Sequence, residues 1–243
     1  MPVKHPDPFA YSTDGLSDQV NPYVAALRAA NEDGSLPLAF GRGLEGGAGH
    51  WRQRVAQHNG LAKSYERLVV EIGCHLGKTL IEMAEANPDT LFIGFDITFK
   101  RVVTTAQRAK AKGLTNVFVI LANAASIGQI FAPGEIDGIL IFFPDPWVKK
   151  ARQAKNRLVD AEFCVRLNGV LSPEGFCWFK TDQKPYFDAT AAFLTEAGFE
   201  HQSTPWPNAL LRDYISTFET RFKSKNLDTY GGWWVPSDNG RTH

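Results

Sequence analysis

The stretch Ile139-Leu140-Ile141-Phe142-Phe143-Pro144-Asp145-Pro146-Trp147 decides how this chain folds. An unbroken apolar run stops at a carboxylate held between two prolines. Such a run is a strand buried on both faces, as in a parallel sheet covered on each side. Each proline fixes its own φ, removes a backbone donor and restricts the residue before it. Asp145 is thereby presented on a stiff tip where a buried strand ends. In open α/β sheets, ligands bind outside the carboxyl ends of the strands. Lys149, Lys150, Arg152, Lys155 and Arg157 follow directly. A charge run is usually a solvated face, but its place just after the tip favours phosphate contact. A fixed acid, a large aromatic and a row of cations point to a nucleobase on a phosphate backbone.

The same alternation extends in both directions. Strands are predicted at 68–72, 91–95, 116–120, 137–143 and 175–181. Helices are predicted at 78–86, 100–112, 124–131, 160–168 and 184–197. Upstream, Pro22 opens a short helix over 21–33, and a second helix lies near 50–58. Residues 1–20 read as a loose arm and the glycines at 41–49 as a flexible segment. The aromatic-rich tail 199–235 reads as β segments. Strands alternating with helices give an α/β fold, a mostly parallel sheet with helices on both faces. The organisation expected is an N-terminal arm with helices over 1–60 and one α/β domain over 61–243.

Three further strands end in polar residues. Glu71 precedes the turn Gly73-Cys74-His75-Leu76-Gly77, where glycines let a ligand approach backbone and the next helix N-terminus favours negative or hydrogen-bonding groups. Glu71 can take an ammonium or hydroxyl group. Asp96, about 20 residues beyond the glycine turn, stands where an acid commonly takes ribose hydroxyls; its structural alternative is a cap for the next helix. Asn123 can read an adenine edge or serve as a turn residue. A nucleoside laid across the sheet edge would meet Glu71, Asp96 and Asn123 together, a stronger signal than any one of them.

Composition narrows the class. The chain has 243 residues, with 26 Lys+Arg against 26 Asp+Glu. Zero net charge argues against general coating of nucleic acid, which needs a basic surface, but leaves room for a local patch. Cys74, Cys164 and Cys177 form no metal-like spacing and fit a reducing cytoplasm. The six histidines show no ligand spacing. No apolar run approaches the roughly 20 residues needed to span a bilayer, and no signal-peptide pattern opens the chain.

On these residues the chain resembles the bacterial tRNA (guanine-N7-)-methyltransferases, over about Leu68 to Arg221. The most specific match is Phe143-Pro144-Asp145-Pro146-Trp147 with its trailing cations. Lys180-Thr181-Asp182 with Pro185-Tyr186, Thr217-Phe218-Glu219 with Arg221, and the Asn21-Pro22-Tyr23 entry add to it. The resemblance implies a class I methyltransferase fold, doubly wound and Rossmann-like, with an antiparallel C-terminal strand. It implies S-adenosylmethionine as cofactor and N7 of a guanine in the tRNA variable loop as target. Glu71, Gly73, Gly77, Asp96, Asn123 and Asp145 fall at cofactor positions, and Asp145 also at the catalytic position. Lys149, Asp182, Ser216, Thr217, Phe218 and Glu219 fall at tRNA positions. A cytoplasmic enzyme without metal, monomeric and away from membranes, is the expectation.

The chain departs from the family pattern at four places. His75 replaces a usual glycine, Asp96 a glutamate and Asn123 an aspartate, and no lysine precedes the aromatic of the 216–219 segment. Three other readings compete: a methyltransferase acting on an exocyclic amine, a non-catalytic RNA-binding relative motivated by His75, and a nucleotide-dependent oxidoreductase. The last lacks the full G-x-G-x-x-G spacing.

Overall fold

The computed structural model describes residues 7–146, 157–203 and 214–237. Its frame is one eight-stranded sheet: β1 (Leu38–Phe40), β2 (Arg67–Ile72), β3 (Thr90–Asp96), β4 (Val117–Leu121), β5 (Ile136–Phe142), β6 (Leu171–Thr181), β7 (Phe199–Gln202) and β8 (Tyr230–Pro236). The spatial order is β1-β4-β3-β2-β5-β6-β8-β7. Pairings from β1 through β6 are parallel, and β8 runs antiparallel to both β6 and β7. From β2 the chain winds outward to β3 and β4 on one side, then returns to lay β5 on the other. The crevice between the carboxyl ends of β2 and β5 is therefore the topological switch point, the general ligand position of such sheets.

Burial on both faces explains the unbroken apolar strands. Leu68, Val70 and Ile72 of β2 join one core with Trp51 and Val55 of α2 (Trp51–His58) and with α6 (Ala161–Val170) and α7 (Lys184–Glu196), which supply Phe163 and Tyr186. Val69 faces the other way, onto Leu80 and Met83 of α3 (Lys78–Ala86). Beyond it, α4 (Phe99–Ala111) and α1 (Tyr23–Asp33) pack Val102, Ala106 and Leu27 against Val119 and Leu121. Alternate side chains meet different helical layers, so polar residues are excluded from both sides. The remaining short helix α5 is Ile127–Ile130, and α8 is Thr217–Lys223.

Three expectations are corrected. The glycine-rich stretch is not loose: residues 38–40 form β1 in register with β4, and Gly41–Leu44 forms a 3-10 turn. The part expected as arm and helices thus adds a strand to the sheet and Trp51 to the core. Gly49 and Trp51 donate their backbone N–H groups to Glu135 at 2.7 and 3.1 Å. The arm, over its described residues 7–20, is also tied down, because Arg28 donates to the carbonyls of Thr13 and Leu16 at 2.9 and 2.7 Å. The tail is not β throughout, since α8 interrupts it. Ser216-x-x-Glu219 has the spacing of a helix N-terminal cap, and the Ser216 hydroxyl accepts from Glu219 N at 3.1 Å.

Candidate active site

Glu71 sits one residue from the end of β2, on the face covered by α3. Its side chain is buried, with the N–H of Leu80 aimed at one oxygen. The other oxygen, Oε2, is buried without a hydrogen-bond partner among the described residues. Burial pushes this carboxyl up to about 8; the Leu80 N–H opposes that and the charge of Asp96 adds to it. A buried, unpartnered carboxyl oxygen is costly in an isolated protein. It is the arrangement of a group that waits for a cation or hydrogen-bond donor.

The turn beyond it holds three left-handed residues, Gly73 (φ 75°), His75 (φ 52°) and Gly77 (φ 72°). The turn therefore keeps glycine geometry at His75, and the histidine carries a strain of about 1–2 kcal/mol. A Cβ at Gly73 would meet no atom within 4 Å, whereas one at Gly77 would lie 2.3 Å from the Thr105 methyl. Gly73 thus leaves open space on the ligand side, and Gly77 allows close packing of the turn on α4. Thr105 donates to His75 O at 3.3 Å and Arg108 to Leu76 O at 2.8 Å. The His75 imidazole is held below its usual range by burial first and then by Arg101, with Arg108 adding and Asp96 opposing.

Asp96 closes β3. One carboxylate oxygen accepts from Thr98 N at 2.9 Å and the other lies 3.4 Å from Arg101. Asn123 lies two residues beyond β4, and its side-chain oxygen accepts from Ala125 N at 2.9 Å, capping a 3-10 turn. Asn123 fills the turn role that is its structural alternative, whereas Asp96 closes a turn on Thr98 N just before α4 and caps none of that helix's own N–H groups. The Asn123 bond uses its side-chain oxygen and not its amide nitrogen. Arg101 was missed in the sequence because a cation on a cation-rich helix carries no mark of its own. Ile97, 61% exposed between Asp96 and Thr98, was also missed; it offers an apolar surface at the strand end.

The tip after β5 is fixed from several directions. Phe143 adopts φ 51° and donates its N–H to Lys180 O at 2.8 Å. Asp145 is exposed beside it. Arg157, expected among the phosphate contacts, instead donates to Pro146 O at 2.8 Å and stacks 4.7 Å from the Tyr186 ring. It anchors the tip. Trp147, Lys149, Lys150, Arg152 and Lys155 lie outside the described residues.

At the end of β6, Asp182 accepts from the Gln183 side chain at 2.7 Å. The segment 216–219 begins α8. Ser216 and Glu219 are buried and Phe218 is 39% exposed. Glu219 pairs with Lys180 at 2.6 Å and with Lys223 at 2.9 Å. Against the burial that would raise it, hydrogen bonds from both lysines hold the Glu219 carboxyl below its usual range. Phe218 meets His75 edge to face at 5.7 Å between ring centres and stands 6.2 Å from Phe143. The helix that carries Phe218 therefore bridges the glycine turn and the β5 tip.

The fold brings Glu71, Gly73, Gly77, Asp96, Asn123, Asp145 and Asp182 to one edge of the sheet. Two cavities lie elsewhere, at the amino-terminal edge. One of about 260 Å³ is lined by Glu66, Arg67 and Ala86–Thr90, and one of about 320 Å³ by residues including Ser35, His58 and Lys110. They hold none of the predicted site residues, and the unpartnered carboxyl and strained turn lie at the crevice. No group of three or more His, Cys, Asp or Glu suited to a metal ion occurs among the described residues, and no helix there is long and apolar enough to cross a membrane.

Comparison with known proteins agrees with this architecture. A family model described as putative methyltransferase matches residues 65–231. The tRNA (guanine-N(7)-)-methyltransferase of Levilactobacillus brevis is 31% identical over 177 residues, covering 73% of this chain and 79% of that protein. That of Geobacillus kaustophilus is 31% identical over 185 residues, covering 75% and 82%. Among solved structures, the 16S rRNA methyltransferase KamB superposes with a TM-score of 0.52 at 16% identity, covering 71% of this chain and 89% of its own; at that identity the likeness concerns the fold alone. A strand order that places five polar strand ends on one edge and a family match running from just before β2 to the start of β8 converge on one assignment: this chain belongs to the tRNA (guanine-N(7)-)-methyltransferase family.

Proposed function

We propose that this chain transfers a methyl group from S-adenosylmethionine to N7 of a guanine in tRNA. The observation that carries the reading is the buried, unpartnered Oε2 of Glu71 at the switch point, beside an open glycine turn. A cofactor with a cationic ammonium and a nucleoside fits that edge. Glu71 would take the ammonium, the open side of Gly73 would admit the chain that carries it, and Asp96 the ribose hydroxyls. The Asn123 amide would meet the adenine edge. When bound, the cofactor supplies an electrophilic methyl group on a sulfonium.

The protein's contribution is positioning and electrostatics. Guanine N7 carries an in-plane lone pair and no proton, so no general base is needed to free it. Asp145 stands on a tip that two prolines, Arg157 and the Phe143–Lys180 hydrogen bond hold still. From there its carboxylate would steady positive charge beside the reacting base. Asp182 and the basic run beginning at Lys149 would hold the flanking nucleotides, the latter through phosphates. The buried free cysteines Cys74, Cys164 and Cys177 fit work in a reducing cytoplasm.

Labelled methyl transfer to bulk tRNA, with the product nucleoside identified, tests the reading directly. N7-methylguanosine makes RNA cleavable by reduction and aniline; a methylated amine does not. Asp145→Ala should abolish transfer while its circular dichroism and melting stay those of the parent. Near-normal methylation by that variant would remove Asp145 from the mechanism.

A further inference from the structure

The Ser216–Glu219 segment resembles a substrate motif, yet its acid already carries a lysine on each oxygen, one of them buried. Glu219 Oε2 lies 2.6 Å from Lys180 Nζ and Glu219 Oε1 lies 2.9 Å from Lys223 Nζ. The side chains of Lys180 and Glu219 are each only 10% exposed. Lys180 is equally committed. It donates to Tyr214 O at 2.8 Å and sits 4.4 Å above the Trp178 ring and 5.3 Å from that of Phe142. Its three N–H donors thus point to Glu219, to a backbone carbonyl and to an aromatic face. A guanine edge that took Glu219 Oε2 would leave the buried Lys180 ammonium without its carboxylate, which is strongly unfavourable, whereas Oε1 faces the more exposed Lys223.

The pair joins two elements. Lys180 belongs to β6, whose neighbour β5 carries the Asp145 tip, and Glu219 belongs to α8. The residue before Glu219 is Phe218, whose ring meets His75 of the glycine turn and faces Phe143. Phe222, one turn on, packs on Phe143 at 5.3 Å.

We propose that Lys180 and Glu219 are positioning residues, a buried strut that fixes α8 so that the half-exposed Phe218 ring is presented at the mouth of the site as the surface on which the target base stacks. This rests on the reading of the chain as a guanine methyltransferase. His75 forms the opposite wall, its ring nearly perpendicular to that of Phe218.

The strut and the direct-contact alternative separate in a double-mutant cycle. Glu219→Leu alone strands the Lys180 charge, and Lys180→Met alone removes the carboxylate's inner partner. Each should raise the tRNA KM by about tenfold or more and lower the melting temperature, with S-adenosylmethionine affinity unchanged by calorimetry. The combined Lys180→Met/Glu219→Leu protein replaces the pair by apolar groups of similar length, a change buried pairs often tolerate. It should recover both melting temperature and tRNA KM to within about threefold of the parent. A double variant that melts like the parent but stays as impaired as Glu219→Leu would overturn the strut, because the acid would then be touching RNA. Phe218→Ala gives a second reading that does not depend on the double variant folding. It leaves the ion pair in place and should raise tRNA KM roughly 5- to 150-fold, the range of a lost base–aromatic stack. An unchanged KM in that variant also overturns the proposal. Failure of the parent protein to make N7-methylguanosine would instead sink the underlying function, so the two failures are distinguishable.

Discussion

Glu71→Gln should make the free protein more stable while removing its cofactor site. In the folded chain the Glu71 carboxyl is pushed from 4.5 to about 8 by burial, with Asp96 adding to it. The folded state therefore holds a proton that the unfolded state releases. Below pH 4.5 both states are protonated and no penalty exists. As pH rises from 4.5 toward 8, the unfolded chain ionises first and stability falls; above 8 the loss levels off. The two values convert to about 3 kcal/mol at pH 7 and about 5 kcal/mol above pH 8. Glutamine keeps an oxygen for the Leu80 N–H and carries no charge. It should raise the melting temperature at pH 7 by roughly 6–12 °C, at the 2–4 °C per kcal/mol usual for a domain of this size. The gain should vanish near pH 4.5. Calorimetry with S-adenosylmethionine should show the parent binding tighter by about fivefold between pH 7 and 8, as the ionised form becomes populated. The variant should show neither the affinity nor the slope. Melting curves at pH 5, 6, 7 and 8 decide the matter: parallel profiles for parent and variant would refute a buried protonated Glu71.

Two further outcomes probe the turn and the helix beside the site. Gly77→Ala forces a side chain at φ 72° and 2.3 Å from Thr105, and should cost about 1–3 kcal/mol in denaturant unfolding; a neutral effect would mean that α4 does not hold the turn. Ser216→Ala removes the cap of α8 and should cost about 1 kcal/mol, with kcat unchanged and tRNA KM raised only as far as α8 loosens; loss of kcat with full stability would give the hydroxyl a chemical role instead.

Local chemistry made part of this protein legible. The strand at 139–143 could be read because a chain buried on both faces must be apolar at every position, and the alternation of such runs with amphipathic stretches implied a parallel sheet. Glycines at 73 and 77 stood out because left-handed backbone selects them, and Asp145 because its prolines removed its freedom. Other features left no local mark. β1 is three residues of ordinary apolar sequence that become a strand only because β4 offers it a free edge. Ser216 and Glu219 carry a helix-capping spacing, but nothing near them in the chain marks Lys180 as the partner of Glu219. Arg157 looked like the rest of its cation row, yet the Pro146 carbonyl lies within its reach.

The sequence by itself determined the layered α/β class, the polar strand ends and the rigid acid, because burial, φ restriction and turn chemistry act over a few neighbouring residues. Only the tertiary structure decided which groups are spent inside the protein and which are left over. It joined Lys180 to Glu219 across 39 positions, gave Asp96 and Asn123 their backbone partners, and left one oxygen of Glu71 buried without any among the described residues. Desolvation and pairing depend on what the fold brings near, and no spacing along the chain encodes that.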